Sequence, residues 1–218
     1  MTRWYTEKKR EHFYKEAKRV GYRARSAFKL KQIQEKFKIL KEGNTVIDLG
    51  AAPGGWSQVA KEIVGEKGTV IGIDISPIKP IRGIKFLRGD ITKEMSVKEI
   101  VEVAGEKKAD VVLSDMSPDI SGNYSVDHAR SIYLSEQALT TAGLVLKPGG
   151  NFICKVFSGE DLQGFVQKVS KIFRNVNRFS PVASRKSSSE IYIIAKYFID
   201  RVWRAKHLKP LDWLTFVN

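Results

Sequence analysis

Between residues 45 and 198 the chain alternates short apolar runs with longer stretches whose apolar positions recur every three or four residues. TVIDLG (45–50), TVIGIDI (69–75), IKFLRGD (84–90), ADVVLSDM (109–116), GNFICKVF (150–157) and EIYIIAKYF (190–198) read as strands. The intervening WSQVAKEIVG (56–65), SVKEIVEVAG (96–105), ARSIYLSEQALTTAGLVL (129–146) and EDLQGFVQKVSKIF (160–173) carry helical spacing, the third stopping before Lys147-Pro148-Gly149-Gly150. Strands this apolar need cover on both faces, so the pattern predicts an α/β fold with a parallel sheet built from βαβ units. Upstream, SAFKLKQIQEKFKIL sets Leu30, Ile33, Phe37 and Leu40 at helical spacing with lysines opposite, a basic helix leading into the domain.

A chain of 218 residues has room for one good core and a modest extension. It holds no apolar stretch of membrane-spanning length, and MTRWYTEKKR lacks the apolar centre of a secretory signal, so a cytoplasmic protein without a membrane partner is expected. Cys154 has no second cysteine to pair with, and His12, His128 and His207 show no ligand spacing, so no metal site is expected.

Charge adds a partner. Residues 1–41 hold 14 Lys/Arg against 4 Asp/Glu, residues 155–218 hold 12 against 5, and the middle holds 12 against 15. Two basic ends around a slightly acidic centre fit a polyanion wrapped about a neutral or acidic pocket, and nucleic acid is the expected polyanion. The basic segment around Lys8, Lys9 and Arg10 is expected to contact phosphates.

The first strand runs into VIDLGAAPGGWSQV (46–59), a strand, a small-residue loop and a helix in that order. Glycine allows close main-chain approach, and a helix start offers free amides to a ligand. The spacing matches neither phosphate cradle: Gly55 is followed by Trp56 where a P-loop needs lysine, and position 52 is alanine where a dinucleotide loop needs glycine. Asp74 ends the second strand, 20 residues after Gly54, where an acid commonly accepts hydrogen bonds from ribose, and Asp90 ends the third. A loop without phosphate-binding charge followed by acids at successive strand ends suits a cationic adenosine-containing ligand, and S-adenosylmethionine fits that description.

The strand GNFICKVF carries one charge, Lys155, which is costly in a buried strand unless it reaches solvent or serves chemistry. Asp115 ends the neighbouring strand, Glu190 opens the last one, and Lys29 lies in the N-terminal helix. With these residues the chain resembles the FtsJ/RrmJ family of RNA ribose 2′-O-methyltransferases. The resemblance rests on YRARSAFKL (22–30), VIDLGAAPGGWSQV, GIDI, GDIT, LSDMSP (113–118), FICKVFSGED (152–161) and SRKSSSEIYIIA (184–195). It implies a Rossmann-like fold with a doubly wound, mostly parallel seven-stranded sheet and an antiparallel last strand. It also implies a catalytic tetrad of Lys29, Asp115, Lys155 and Glu190, and cofactor contacts from Gly54, Trp56, Asp74, Asp90 and Asp115. The expected reaction is methyl transfer from S-adenosylmethionine to a ribose 2′-hydroxyl, with a uridine of large-subunit ribosomal RNA as acceptor. The tRNA anticodon loop and mRNA caps are the family's other substrates, and a noncatalytic RNA-binding protein of the same fold is the alternative from another class.

Within the resemblance Lys155 has two roles open to it: a neutral amine that takes the hydroxyl proton, or an ammonium that orients the hydroxyl and stabilises the alkoxide. The loop DMSPD lacks the aromatic ring expected for adenine amino methylation, and Cys154 follows Ile153 inside a strand, where it reads as a small core residue and not as a nucleophile. The expected organisation is a basic helical extension over 1–41, the methyltransferase domain over 42–198, and a tail over 199–218 that packs through Trp203, Leu208, Trp213 and Phe216.

Overall fold

The computed structural model describes residues 13–105, 108–184 and 189–200. Lys8, Lys9, Arg10 and the tail residues Trp203, Leu208, Trp213 and Phe216 lie outside them. Seven strands form one sheet: β1 (Thr45–Leu49), β2 (Thr69–Asp74), β3 (Ile84–Arg88), β4 (Ala109–Ser114), β5 (Leu146–Phe157), β6 (Phe173–Phe179) and β7 (Glu190–Phe198). Their order is β3-β2-β1-β4-β5-β7-β6. The pairs β1–β2, β1–β4, β2–β3 and β4–β5 are parallel, and β7 runs antiparallel to both β5 and β6. Strand order reverses between β1 and β4, which opens a crevice beyond the carboxyl ends of those two strands.

Among the described residues five helices cover the sheet, α1 (Ala27–Phe37), α2 (Gly55–Val64), α3 (Glu94–Ala104), α4 (Tyr124–Val145) and α5 (Leu162–Ile172), with a further helical stretch over 13–19. Strand alternation divides the interior in two. Phe152, Cys154 and Val156 of β5 join Ile100, Ala138, Leu139, Phe165 and Val169 under α3, α4 and α5. Ile153 and, on β7, Tyr192 and Ile194 join Leu30, Ile33, Val59 and Ala60 under α1 and α2. The N-terminal helix is thus part of a core layer, since Ala27, Leu30 and Ile33 are fully buried.

Helix ends follow local chemistry. The helix expected over 129–146 begins earlier, at Tyr124, because the Asn123 side chain accepts from the Ser125 and Val126 amides. α1 stops where Lys38 turns left-handed (φ 51°), and the Gln34 side chain closes the turn by pairing with both the amide and the carbonyl of Leu40. The strand β6 has no counterpart among the apolar runs. Its sequence, FRNVNRF, buries only Phe173, and it forms because β7 offers an unpaired edge that α5 delivers it to.

Candidate functional site

Loops leaving β1, β2, β3 and β4 enclose a cavity of about 530 Å³. Its wall includes Gly50 and Ala52 after β1, Asp74 at the end of β2, Asp90 after β3, and Asp115 with Asp119 after β4. Four aspartates and no lysine or arginine line it among the described residues, an electrostatic lining suited to a cation.

The acids also build the wall they line. Asp74 accepts from the Ala52 amide (Oδ2, 2.9 Å) and from the Ser76 amide (Oδ1, 2.8 Å), so the carboxylate holds the small-residue loop against the end of β2. Each oxygen keeps a second acceptor direction for a ligand. Asp90 Oδ1 takes both the amide (2.9 Å) and the hydroxyl (2.8 Å) of Thr92, and these bonds, the amide first, hold its carboxyl below the usual range. Gly50 has φ +72°, and a Cβ there would lie 2.3 Å from Met116 Cγ, so the loop after β1 and the loop after β4 meet only because this position is bare.

Gly54 and Trp56, expected as cofactor contacts, are placed differently from the acids. Gly54 turns at φ +112° beside Ile81 and Arg23, whose guanidinium donates to the carbonyls of Lys79 (2.5 Å) and Pro80 (2.8 Å). The Trp56 indole is buried; its Nε1–H donates to the Ser26 carbonyl (2.8 Å) and its ring stacks on Tyr192 at 5.6 Å between centroids. That side chain belongs to the packing between α2 and β7 and is absent from the cavity wall. What α2 offers a ligand is main chain: its first turn has no side-chain cap.

The four residues of the expected tetrad come together at the end of β5. Lys155 Nζ donates to the Asp115 carbonyl at 2.6 Å and lies 3.2 Å from Asp115 Oδ1. Lys29 Nζ, buried on α1, is 2.6 Å from Glu190 Oε2 across 161 positions of sequence. Both lysines are about 5 % exposed, so each ammonium relies on these partners. The antiparallel register explains the convergence: Lys155 pairs with Tyr192 and Phe157 with Glu190, and directly opposed residues point to the same face, the one covered by α1.

Tyr192 belongs to the cluster and Asp48 lies buried in β1 nearby; neither was among the residues singled out from sequence. The Tyr192 hydroxyl donates to Asp115 Oδ1 at 2.6 Å, and its ring lies 5.7 Å from Lys29 Nζ, so it joins the two ion pairs. Burial, then the charges of Asp115 and Glu190, push its hydroxyl well above the ordinary phenol range, which keeps it a neutral donor. Asp48, next to the carboxyl end of β1, is fully buried and accepts from Ser57 Oγ at 2.6 Å, while its Oδ1 has no partner among the described residues. Burial pushes its carboxyl up to about 7; the Ser57 bond opposes this, and the charges of Asp115 and Asp74 add to it. The signal that drew attention to Lys155, a charge inside an apolar strand, is equally present in TVIDL.

Comparison with known proteins adds a family. The sequence profile described as FtsJ-like methyltransferase matches residues 22–198, which span the cavity and the ion cluster. Among curated proteins, "Ribosomal RNA large subunit methyltransferase E" of Methanocaldococcus jannaschii is 49% identical over 218 residues, covering 96% of this chain and 89% of the relative. The protein of the same name from Methanosarcina acetivorans is 50% identical over 191 residues, covering 88% and 70%. Among solved structures, a protein from Plasmodium falciparum assigned as a ribosomal RNA methyltransferase superposes with a TM-score of 0.73 at 30% identity, over 82% of this chain and 99% of that one. Aeropyrum pernix fibrillarin, solved with S-adenosyl-L-methionine, shares the fold at 15% identity with a TM-score of 0.52, over 72% and 68%.

Proposed function

This chain belongs to the FtsJ-like methyltransferase family, and from that premise we propose that it methylates a ribose 2′-hydroxyl of RNA, at a uridine of large-subunit ribosomal RNA, using S-adenosylmethionine. One observation carries the reading: Asp115 lines the acidic cavity and also holds Lys155, so a cofactor site and a proton-handling cluster share a residue. The names of the relatives favour large-subunit ribosomal RNA over the tRNA anticodon loop. A place of action in the cytoplasm goes with this reading. No described helix is long and apolar enough to cross a membrane.

The cavity fits the cofactor. Its carboxylates suit a sulfonium and an amino group, no cation among the described residues of its wall attracts phosphate, and Asp74 has acceptor capacity left for ribose hydroxyls. Gly54 and Trp56 contribute through the main chain at the start of α2. When bound, S-adenosylmethionine supplies an electrophilic methyl group. The chain's own residues position the acceptor and manage its proton. Lys155 gives two of its donor directions to Asp115, which leaves one for the 2′-oxygen. In this role it is an ammonium that orients the hydroxyl and stabilises charge on the oxygen as the hydroxyl proton passes to water. Asp115 holds Lys155 and is itself aligned by Tyr192; Glu190 and Lys29 close the cluster from the α1 side. Because opposite charges are consumed in the transfer, burial of the cluster assists it.

Residues 42–198 form the transferring body, and residues 27–37 of the basic extension supply Lys29 to it. The test is labelled-methyl transfer into total RNA, mapping of the modified nucleotide, and repetition on a fragment with a 2′-deoxy sugar at that position. Label in the ribose fragment and none in the deoxy fragment is expected. Binding of both with label in neither is the outcome for a noncatalytic RNA-binding protein.

A further inference from the structure

Beyond Glu190 the surface falls into a second cavity, of about 430 Å³, whose wall includes Arg25, Ser117, Tyr124, His128, Phe157 and Glu190. It adjoins the acidic cavity at Ser117, which lines both, and the ion cluster at Glu190. Tyr124 stands out within it. The side chain opens α4 and is 60% exposed, yet it is held on two sides. Its hydroxyl donates to the Ser158 carbonyl at 2.5 Å, and its ring lies parallel to that of His128, 10° between planes and 6.4 Å between centroids. His128 is itself clamped. The Asp161 amide donates to Nε2 at 3.1 Å, which leaves the ring proton on Nδ1, 3.2 Å from the Phe157 carbonyl. Gly159 passes so close that a Cβ there would lie 2.4 Å from Nδ1. A tyrosine with its polar end spent on the main chain, one flank braced and the rest open to a cavity has little rotamer freedom left to lose. A surface on which a nucleobase stacks needs those properties.

Resting on the 2′-O-methyltransferase reading above, we propose that this cavity receives the unpaired base of the acceptor nucleotide, with Tyr124 as the surface on which it stacks. A ribose placed at the Lys155–Asp115 pair has the acidic cavity on one side and the Tyr124 cavity on the other. The first is lined by aspartates and suits a cation; the second presents an aromatic face, with Arg25, Asp127 and Glu190 in its wall. A base inside a duplex has no free face, so the acceptor must be single-stranded or turned out of its helix. Stacking tolerates any base, so Tyr124 contributes affinity and orientation and does not select uridine.

The experiment measures dissociation constants for a uridylate octamer and for the same octamer with abasic ribose units. The two probes share phosphates and 2′-hydroxyls and differ only in bases. The wild type is expected to bind the base-bearing probe about tenfold more tightly. Tyr124→Ala should bring that ratio below about threefold, and Tyr124→Phe, which keeps the ring, should retain it. A wild-type ratio near one, an unchanged ratio in Tyr124→Ala, or a ratio lost in Tyr124→Phe overturns the proposal. Methyl transfer is scored separately. Absence of transfer by a wild type that shows the expected ratios sinks the enzymatic reading and leaves the base site standing.

Discussion

Asp48 offers a measurement in which the geometry sets the magnitude. The carboxyl sits in β1 with no exposure, one oxygen accepting from Ser57 Oγ and the other without a partner among the described residues. Burial is the largest reason its pKa rises from 3.8 to about 7. Because the folded value lies above the unfolded one, the folded chain holds a proton that the unfolded chain has released throughout the window between them. The neutral acid's contribution is full below about pH 4, shrinks as pH rises, and is gone above about pH 7. At about 1.4 kcal/mol per pH unit the swing is roughly 4 kcal/mol, an upper bound because relaxation and water entry soften a buried charge. Asp48→Asn cannot ionise, keeps an acceptor for Ser57, and should lose that swing. Urea denaturation of cofactor-free wild type and variant at pH 5, 6, 7 and 8 isolates the effect, since the other carboxylates titrate alike in both and cancel in the difference. The variant should gain on the wild type by up to about 2.5 kcal/mol between pH 5 and pH 8, the rest of the swing lying below pH 5, and the gain should level off above pH 7. Parallel stability curves for the two proteins would show that Asp48 does not take up a proton on folding, and the account of β1 as a strand carrying a protonated acid would fall.

Three further outcomes are expected. Lys155→Ala should lower the methylation rate by about a hundred- to ten-thousand-fold with cofactor affinity nearly unchanged; single-turnover rates near those of the wild type would remove Lys155 from the chemistry. Asp74→Ala strips the Ala52 and Ser76 amides of their acceptor as well as the cofactor of one. Calorimetry should find the cofactor bound about ten- to a hundredfold more weakly, and an unaltered dissociation constant would contradict the role given to Asp74. Gly50→Ala puts a Cβ 2.3 Å from Met116 Cγ at φ +72°. It should cost about 2 to 4 kcal/mol of stability by denaturant titration, and a neutral substitution would mean that the loops after β1 and β4 part without penalty.

Much of this protein can be read from residues in order along the chain, because strands and helices are set by the local alternation of apolar and polar positions. Six of the seven strands, five helices within a few residues of their ends, and the acids closing β2 and β3 are of this kind. Lys155 was legible for the same reason, as a charge that an apolar strand does not tolerate without a purpose. What could not be read depends on pairings far apart in sequence. β6 is polar and becomes a strand only because β7 presents it with an edge. Tyr192 has the alternation of an ordinary core residue, and only the register of β7 against β5 brings its hydroxyl to Asp115. Trp56, in the glycine-rich motif, turns its indole into the core because β7 arrives there with an aromatic ring to stack on. Sequence determined which segments become strands and helices and which side chains lie at the strand ends, because those depend on near neighbours. The tertiary structure alone decided which of those side chains meet, because the meeting of Lys29 with Glu190 spans 161 positions and is fixed by the packing of α1 against the sheet.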